Sequence, residues 1–229
     1  MKEESNTIKE VAKAWGRTVD LAEQFGGFIA KYIDGPLEQG IGILKDKLMY
    51  MRWERQVRLM QRASEFLSKE GFTQPTQVIP LKFAIPLLEA ASLEDDDYLQ
   101  DQWAKLIVNS AIEASGVVLT RTYIDILERL SPMEAKILNV MYSIPSGVMY
   151  HRRIDTLHLP ESARIYDENT QNRKEPAEEI MLALANLDRL GCISASMSLG
   201  GGQLFRMVSP TILGKKFVEA CILPSERRS

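Results

Sequence analysis

Cysteine and histidine are scarce, with two of each among 229 residues. Cys192 and Cys221 lack the close spacing of a zinc site and cannot build the disulfide lattice of a small secreted domain. No apolar run approaches the ~20 residues needed to cross a bilayer, and the opening MKEESNTIKE is too acidic for a secretory leader. The chain also lacks a GxSxG elbow, a phosphate-cradling glycine loop and a Cys–His pairing. These gaps leave a cytoplasmic protein as the expectation, with no metal and no cofactor.

There is enough apolar material, 45% of the chain, to bury a core, and the composition is not that of a disordered protein. The net charge of −3 hides a division. Residues 71–130 hold 4 basic against 9 acidic side chains, whereas the segments on either side are close to balance. Hydrophobic periodicity and turn chemistry divide the chain into long amphipathic helices over 1–71, an acidic helical centre over 72–130 and a different pattern over 131–229.

Thr7 to Glu10 form a capping box. Behind it Ile8, Val11, Trp15, Val19, Ala22, Phe25, Ile29 and Tyr32 recur at helical steps as one apolar stripe. Its polar side mixes both charge signs, whereas membrane-surface helices usually carry an excess of Lys and Arg. Helix packing therefore competes with a membrane interface, and Trp15, Phe25, Phe28 and Tyr32 are the membrane or partner contacts on either reading. A second helix opens at Gly35-Pro36 and runs to about Gly71. Met49, Trp53, Val57, Met60 and Leu67 line one face, and Arg55, Arg58, Arg62 and Lys69 lie on the opposite one. That basic face suits phosphate, in nucleic acid or in lipid headgroups. Its alternative is a solvated face with Glu54–Arg58 and Glu65–Lys69 pairs.

The centre contains LEDDDYLQDQWAKLIVN. Asp97 and Asp101 share a helical face, as paired magnesium ligands would. A prenyltransferase-like site needs a second aspartate-rich motif, and none is present. The acids read instead as the first turn of a helix capped by Ser92, where carboxylates meet the positive end of the helix dipole. Leu99, Trp103, Leu106 and Ile107 supply its buried stripe.

Ser131-Pro132-Met133-Glu134 opens a helix with a cap, an N1 proline and an N3 glutamate. A short helix near 150–158 is expected next, then a helix opening at Pro176. Two strand-like runs follow, CISASMS and QLFRMVS, joined by LGGG. Ser209-Pro210 then begins a closing helix. Three helices, a hairpin and a helix make the order of a winged-helix module. Its third helix would carry Glu178, Glu179 and Asp188, which repel phosphate. Arg206, Lys215 and Lys216 could touch a nucleic-acid backbone, but no sequence-specific readout is expected.

Arg153 and His158 have the Arg-x4-His spacing of HEPN ribonucleases and are the two catalytic candidates. The competing reading is a solvated polar helix. His151, Asp155 and His158 would share a face of that helix, without a fourth ligand to make a metal site.

FAIPLLEAASLEDDDYLQDQWAKLIVNSA, followed by TYIDILERLSPMEAKIL, resembles the Abi-alpha family of abortive-infection proteins. The Gly35-Pro36 start and the closing SPTILGKKFVEAC are similar to that family as well. The resemblance implies a role in bacterial defence against phage and brings no catalytic residues. Taken together, the expectation is a mainly α protein: a helical N-terminal and central region, then a winged-helix-like C-terminal module with a small β-hairpin. It would be non-enzymatic and act through helix-mediated assembly, with peripheral contact at the inner membrane. Its partners would be a protein or a second copy, a phage component, or an anionic membrane. The rival functions are nucleic-acid binding and a HEPN-like ribonuclease.

Overall fold

The structure is a computed structural model that describes residues 27–28, 30–34, 53–145, 152–167 and 174–228. The Thr7 cap, Trp15, Phe25, the Gly35-Pro36 start, Met49 and His151 lie outside the described residues. The chain divides into two compact units. One contains residues up to Ile124 together with Leu223–Arg228, and the other spans Asp125–Ile222.

The first unit begins with helical residues 27–28 and 30–32 and the two-residue strand β1 (Ile33–Asp34), which pairs in parallel with β2 (Ile79–Pro80). Helix α1 (Trp53–Lys69) packs mainly on α3 (Asp97–Ser110), with α2 (Leu81–Leu93) between them in sequence. The buried stripe of α1 is Leu59, Ala63 and Phe66 with Met60 and Leu67. Met60 and Leu67 are buried as expected, but Val57 is only half-buried, so the stripe is turned towards Phe66, whose ring centre lies 4.6 Å from the Arg62 guanidinium carbon. Arg55, Arg58 and Arg62 therefore flank the buried stripe rather than oppose it. Gly71 adopts φ +84° and ends α1, with the amides of Phe72 and Gly71 donating to the carbonyls of Leu67 and Ser68. That pattern is the Schellman motif, which favours glycine at the left-handed position.

The cap of α3 differs from the expectation. Asp96 is the N-cap, and its carboxylate accepts from the amides of Tyr98 and Leu99 at 2.9 and 3.0 Å. Ser92 is buried in the last turn of α2. An ionised carboxylate one turn later satisfies two free amides, so it prevails over the hydroxyl. Beyond it Leu99, Trp103, Leu106 and Ile107 are buried as their spacing requires.

The division between the units falls within α4 (Arg121–Leu127). The second unit continues with α5 (Pro132–Tyr142), whose Ser131/Glu134 capping box forms as the sequence indicates. Where a helix over 150–158 was expected, the chain makes strand β3 (Ile154–Asp155) and then a turn. Ile154 is fully buried between Ile165 of β4 (Arg164–Ile165) and Val208 of β6 (Gln203–Pro210). Sheet pairing on both sides outweighs the weak local helical pattern. Helix α6 (Glu178–Arg189) precedes β5 (Ile193–Met197), and α7 (Ile212–Ala220) closes the unit. The sheet is antiparallel in the order β4-β3-β6-β5, larger than the lone hairpin expected. Ser209-Pro210 ends β6, and the cap of α7 is Thr211, which accepts from the Gly214 amide at 2.9 Å.

The architecture is thus helical with a small antiparallel sheet. Among the described residues no helix is long and apolar enough to cross a membrane.

Candidate functional site: an arginine–aspartate clasp

The basic face and the acidic stretch, read separately in the sequence, meet in the first unit. On α1 the arginines fall at steps of three and four; on α3 Asp97 and Asp101 stand one turn apart. Two ladders of similar pitch on packed helices can interlock. Arg62 grips Asp101 through both Nη2–Oδ2, at 2.6 Å, and Nε–Oδ1, at 2.7 Å. Its Nη1 meets Glu65 at 2.6 Å. Arg58 reaches Asp101 Oδ1 at 3.4 Å and faces Asp97 Oδ1 at 3.2 Å. Arg55 Nη1 donates to Asp97 Oδ1 at 2.6 Å, with Asp95 at 3.9 Å. The buried Gln100 amide donates to the Arg55 carbonyl at 3.1 Å and ties the two helices at backbone level.

The electrostatic logic follows from the geometry. Asp101 stands between Arg58 and Arg62, whose like charges would otherwise repel. The hydrogen bonds that Arg62 donates to Asp101 raise its pKa further above its ordinary value, against a smaller opposing effect of burial. Side-on, bidentate contact of this kind is the strongest form of the Arg–carboxylate bond. Of the two expected pairs within α1, Glu54–Arg58 lies outside the described side chains, and in place of Glu65–Lys69 the Glu65 carboxylate meets Arg62. Lys69 instead meets Glu226 at 3.2 Å.

Glu226 anchors the returning C-terminal segment. It also bonds Lys105 at 2.9 Å, while Arg227 donates to the Ser115 carbonyl at 3.1 Å. Burial alone would raise the Glu226 pKa. The bond and charge of Lys105, the Leu223 amide and Lys69 together hold it below the ordinary glutamate value. This role was not legible in the sequence, because no local pattern links Glu226 to Lys69 and Lys105.

Phe28 and Tyr32 are buried at 8% and 3% exposure, with ring centres 4.4 Å apart. Burial pushes the Tyr32 hydroxyl pKa up to about 12. Beside them lies a cavity of about 720 Å³, lined in part by Val57, Met60, Leu67 and Pro75. The catalytic candidates do not share a helix: Arg153 is exposed at the entrance to β3, and His158 is exposed in the turn after it. The proposed common helical face of His151, Asp155 and His158 likewise has no helix under its described members. Among the described residues no group of acidic, histidine or cysteine side chains is placed to hold a metal ion.

Fold and clasp together define a helical protein with a small sheet, its first unit braced by cross-helix ion pairs. The chain belongs to the abortive infection alpha family, whose model matches residues 54–221. No curated protein and no solved structure matches it. Membership ties the chain to abortive-infection-type defence, in agreement with the resemblance read from the centre of the sequence.

Proposed function

We propose that the chain is a non-enzymatic abortive-infection protein that works by helix-mediated assembly through its N-terminal apolar stripe. It resides in the cytoplasm and contacts the anionic inner membrane only when that stripe is released. The observation that carries the reading is the burial of Phe28 and Tyr32. Tyr32 belongs to the stripe and Phe28 packs beside it, and both are seated against protein rather than presented to solvent. The closed clasp supports the same order of events, since Arg55, Arg58 and Arg62 meet carboxylates. Phosphate or lipid contact at these arginines would have to compete with Asp97, Asp101 and Glu65.

The second unit fits a winged-helix-like module that packs on protein. Its hairpin tip presents exposed Leu199, and the first turn of α6 carries Glu178 and Glu179. The ribonuclease reading is weakened because Arg153 and His158 do not project from one helix.

The test compares full-length protein with a version lacking residues 1–44. Mass is measured by light scattering, and cosedimentation and dye release are measured with anionic liposomes at moderate salt. Self-association that disappears with the truncation is expected, with any vesicle binding lost in parallel. A full-length protein that stays monomeric overturns the assembly reading. Vesicle leakage by the monomer would reassign the stripe to the membrane.

A further inference from the structure

Positive charge is compensated unevenly along this chain. On α1 the arginines and Lys69 all meet carboxylates. In the second unit Arg152, Arg153 and Arg164 are exposed, and none forms an ion pair with a described carboxylate. The register of the sheet brings Arg153 and Arg164 together, and Arg152 adjoins Arg153 in the chain. Ile154 pairs with Ile165 and Asp155 with Arg164, and the Tyr166 amide donates to the Arg153 carbonyl at 2.8 Å. Arg153 and Tyr166 therefore stand opposite each other, one step from the Asp155/Arg164 pair on the same face. Diagonal neighbours of this kind lie about 7–8 Å apart in an antiparallel ladder, a separation that successive phosphates of an extended strand can span.

Two contacts keep these arginines available. The Asp155 carboxylate, opposite Arg164, accepts from the Leu157 amide at 2.9 Å. Arg153 Nη1 rests 3.5 Å from the sulfur of Met207, a neutral partner that leaves its charge uncompensated. Exposed Glu161 and Asp167 lie in the same stretch of chain, so the patch is a short row of cations rather than a deep positive field.

We propose that Arg152, Arg153 and Arg164, with Tyr166 beside them, form a contact surface for the phosphodiester backbone of a single-stranded nucleic acid. Guanidinium groups match phosphate oxygens in a bidentate fork. The half-buried Tyr166 ring offers a stacking face for a base, which serves any sequence. A duplex read by α6 is disfavoured by Glu178 and Glu179 in its first turn. A lipid surface is disfavoured because Arg152, Arg153, Arg164 and Tyr166 include no large aliphatic side chain to insert.

The experiment is fluorescence anisotropy of full-length protein with labelled single-stranded RNA and DNA across a salt series. The comparison is the R152Q/R153Q/R164Q variant, with thermal unfolding as the fold control. Three phosphate contacts give an expected slope of log affinity against log salt of about −2, from about −0.7 per contact on a single strand. The triple variant should lose most of that slope and most of the low-salt affinity while keeping its melting temperature. Should it fail to fold, R164Q alone should shallow the slope by about 0.7. Absence of binding by the wild type at low salt overturns the proposal, as does undiminished affinity in the folded variant. Binding to anionic vesicles but not to either nucleic acid overturns it too, and assigns the surface to lipid.

Discussion

Gly214 shows how much one side-chain atom can matter in the second unit. A Cβ built there would lie 2.0 Å from the Cys192 carbonyl oxygen and 2.2 Å from the Tyr142 hydroxyl. The approach is needed because Tyr142 joins two elements: its hydroxyl donates to the Cys192 carbonyl at 2.6 Å and accepts from the Thr211 amide at 3.0 Å. Burial, with the Glu134 charge as a second cause, pushes the neighbouring Cys192 thiol up to about 12, so it behaves as a small apolar core group. Gly214→Ala should therefore lower the unfolding free energy by about 1–3 kcal/mol, the usual range for overpacking. A urea denaturation midpoint equal to that of the wild type would show that α7 can slide away without cost.

At the scale of elements, the clasp is the feature to test. Its weight rests on Asp101 and Arg62, whose side chains are 23% and 31% exposed, rather than on Asp97 at 67%. A double-mutant cycle of Asp101→Asn with Arg62→Gln should give a coupling of roughly 0.5–1 kcal/mol, at the upper end for partly exposed pairs. Raising the salt concentration should shrink it. Zero coupling at low salt would mean that the Arg62–Asp101 contact adds nothing to the packing of α1 on α3. Local chemistry was legible at this scale wherever a few adjacent residues decide the outcome. The Ser131/Glu134 box and the β5–β6 hairpin follow from caps and turns within the segment itself. The segment 150–158 was misread because its strand depends on Ile165 and Val208, both distant in sequence. Ser92 lost the cap to Asp96 because the preceding helix extends through Leu93.

For the molecule as a whole, the chain leaves the first unit within α4 and returns to it after α7. Leu223 is fully buried there, and Glu226 joins Lys69 and Lys105. A glutamate whose folded pKa is lowered adds stability that is present above its unfolded value, here 4.5, and is lost as pH falls through the folded value. The tail should accordingly resist carboxypeptidase at neutral pH and yield faster as the solution is acidified below about 4.5. Glu226→Gln should be cleaved rapidly at neutral pH already. Equal rates for both proteins would show that the segment is retained without the Glu226 ion pairs.

The sequence by itself determined the family, the helical character, the Ser131/Glu134 cap, the hairpin and the burial of Leu99, Trp103, Leu106 and Ile107. Each of these is written in local periodicity or in a short motif, where neighbours along the chain are neighbours in space. Only the tertiary structure decided that the basic face of α1 closes on Asp97 and Asp101, that Glu226 ties the tail to Lys69 and Lys105, and that Arg153 lies beside Arg164 on a sheet. Charge has no fixed range in sequence: an arginine takes whichever carboxylate packing brings within about 4 Å, and packing joins residues that the chain keeps far apart.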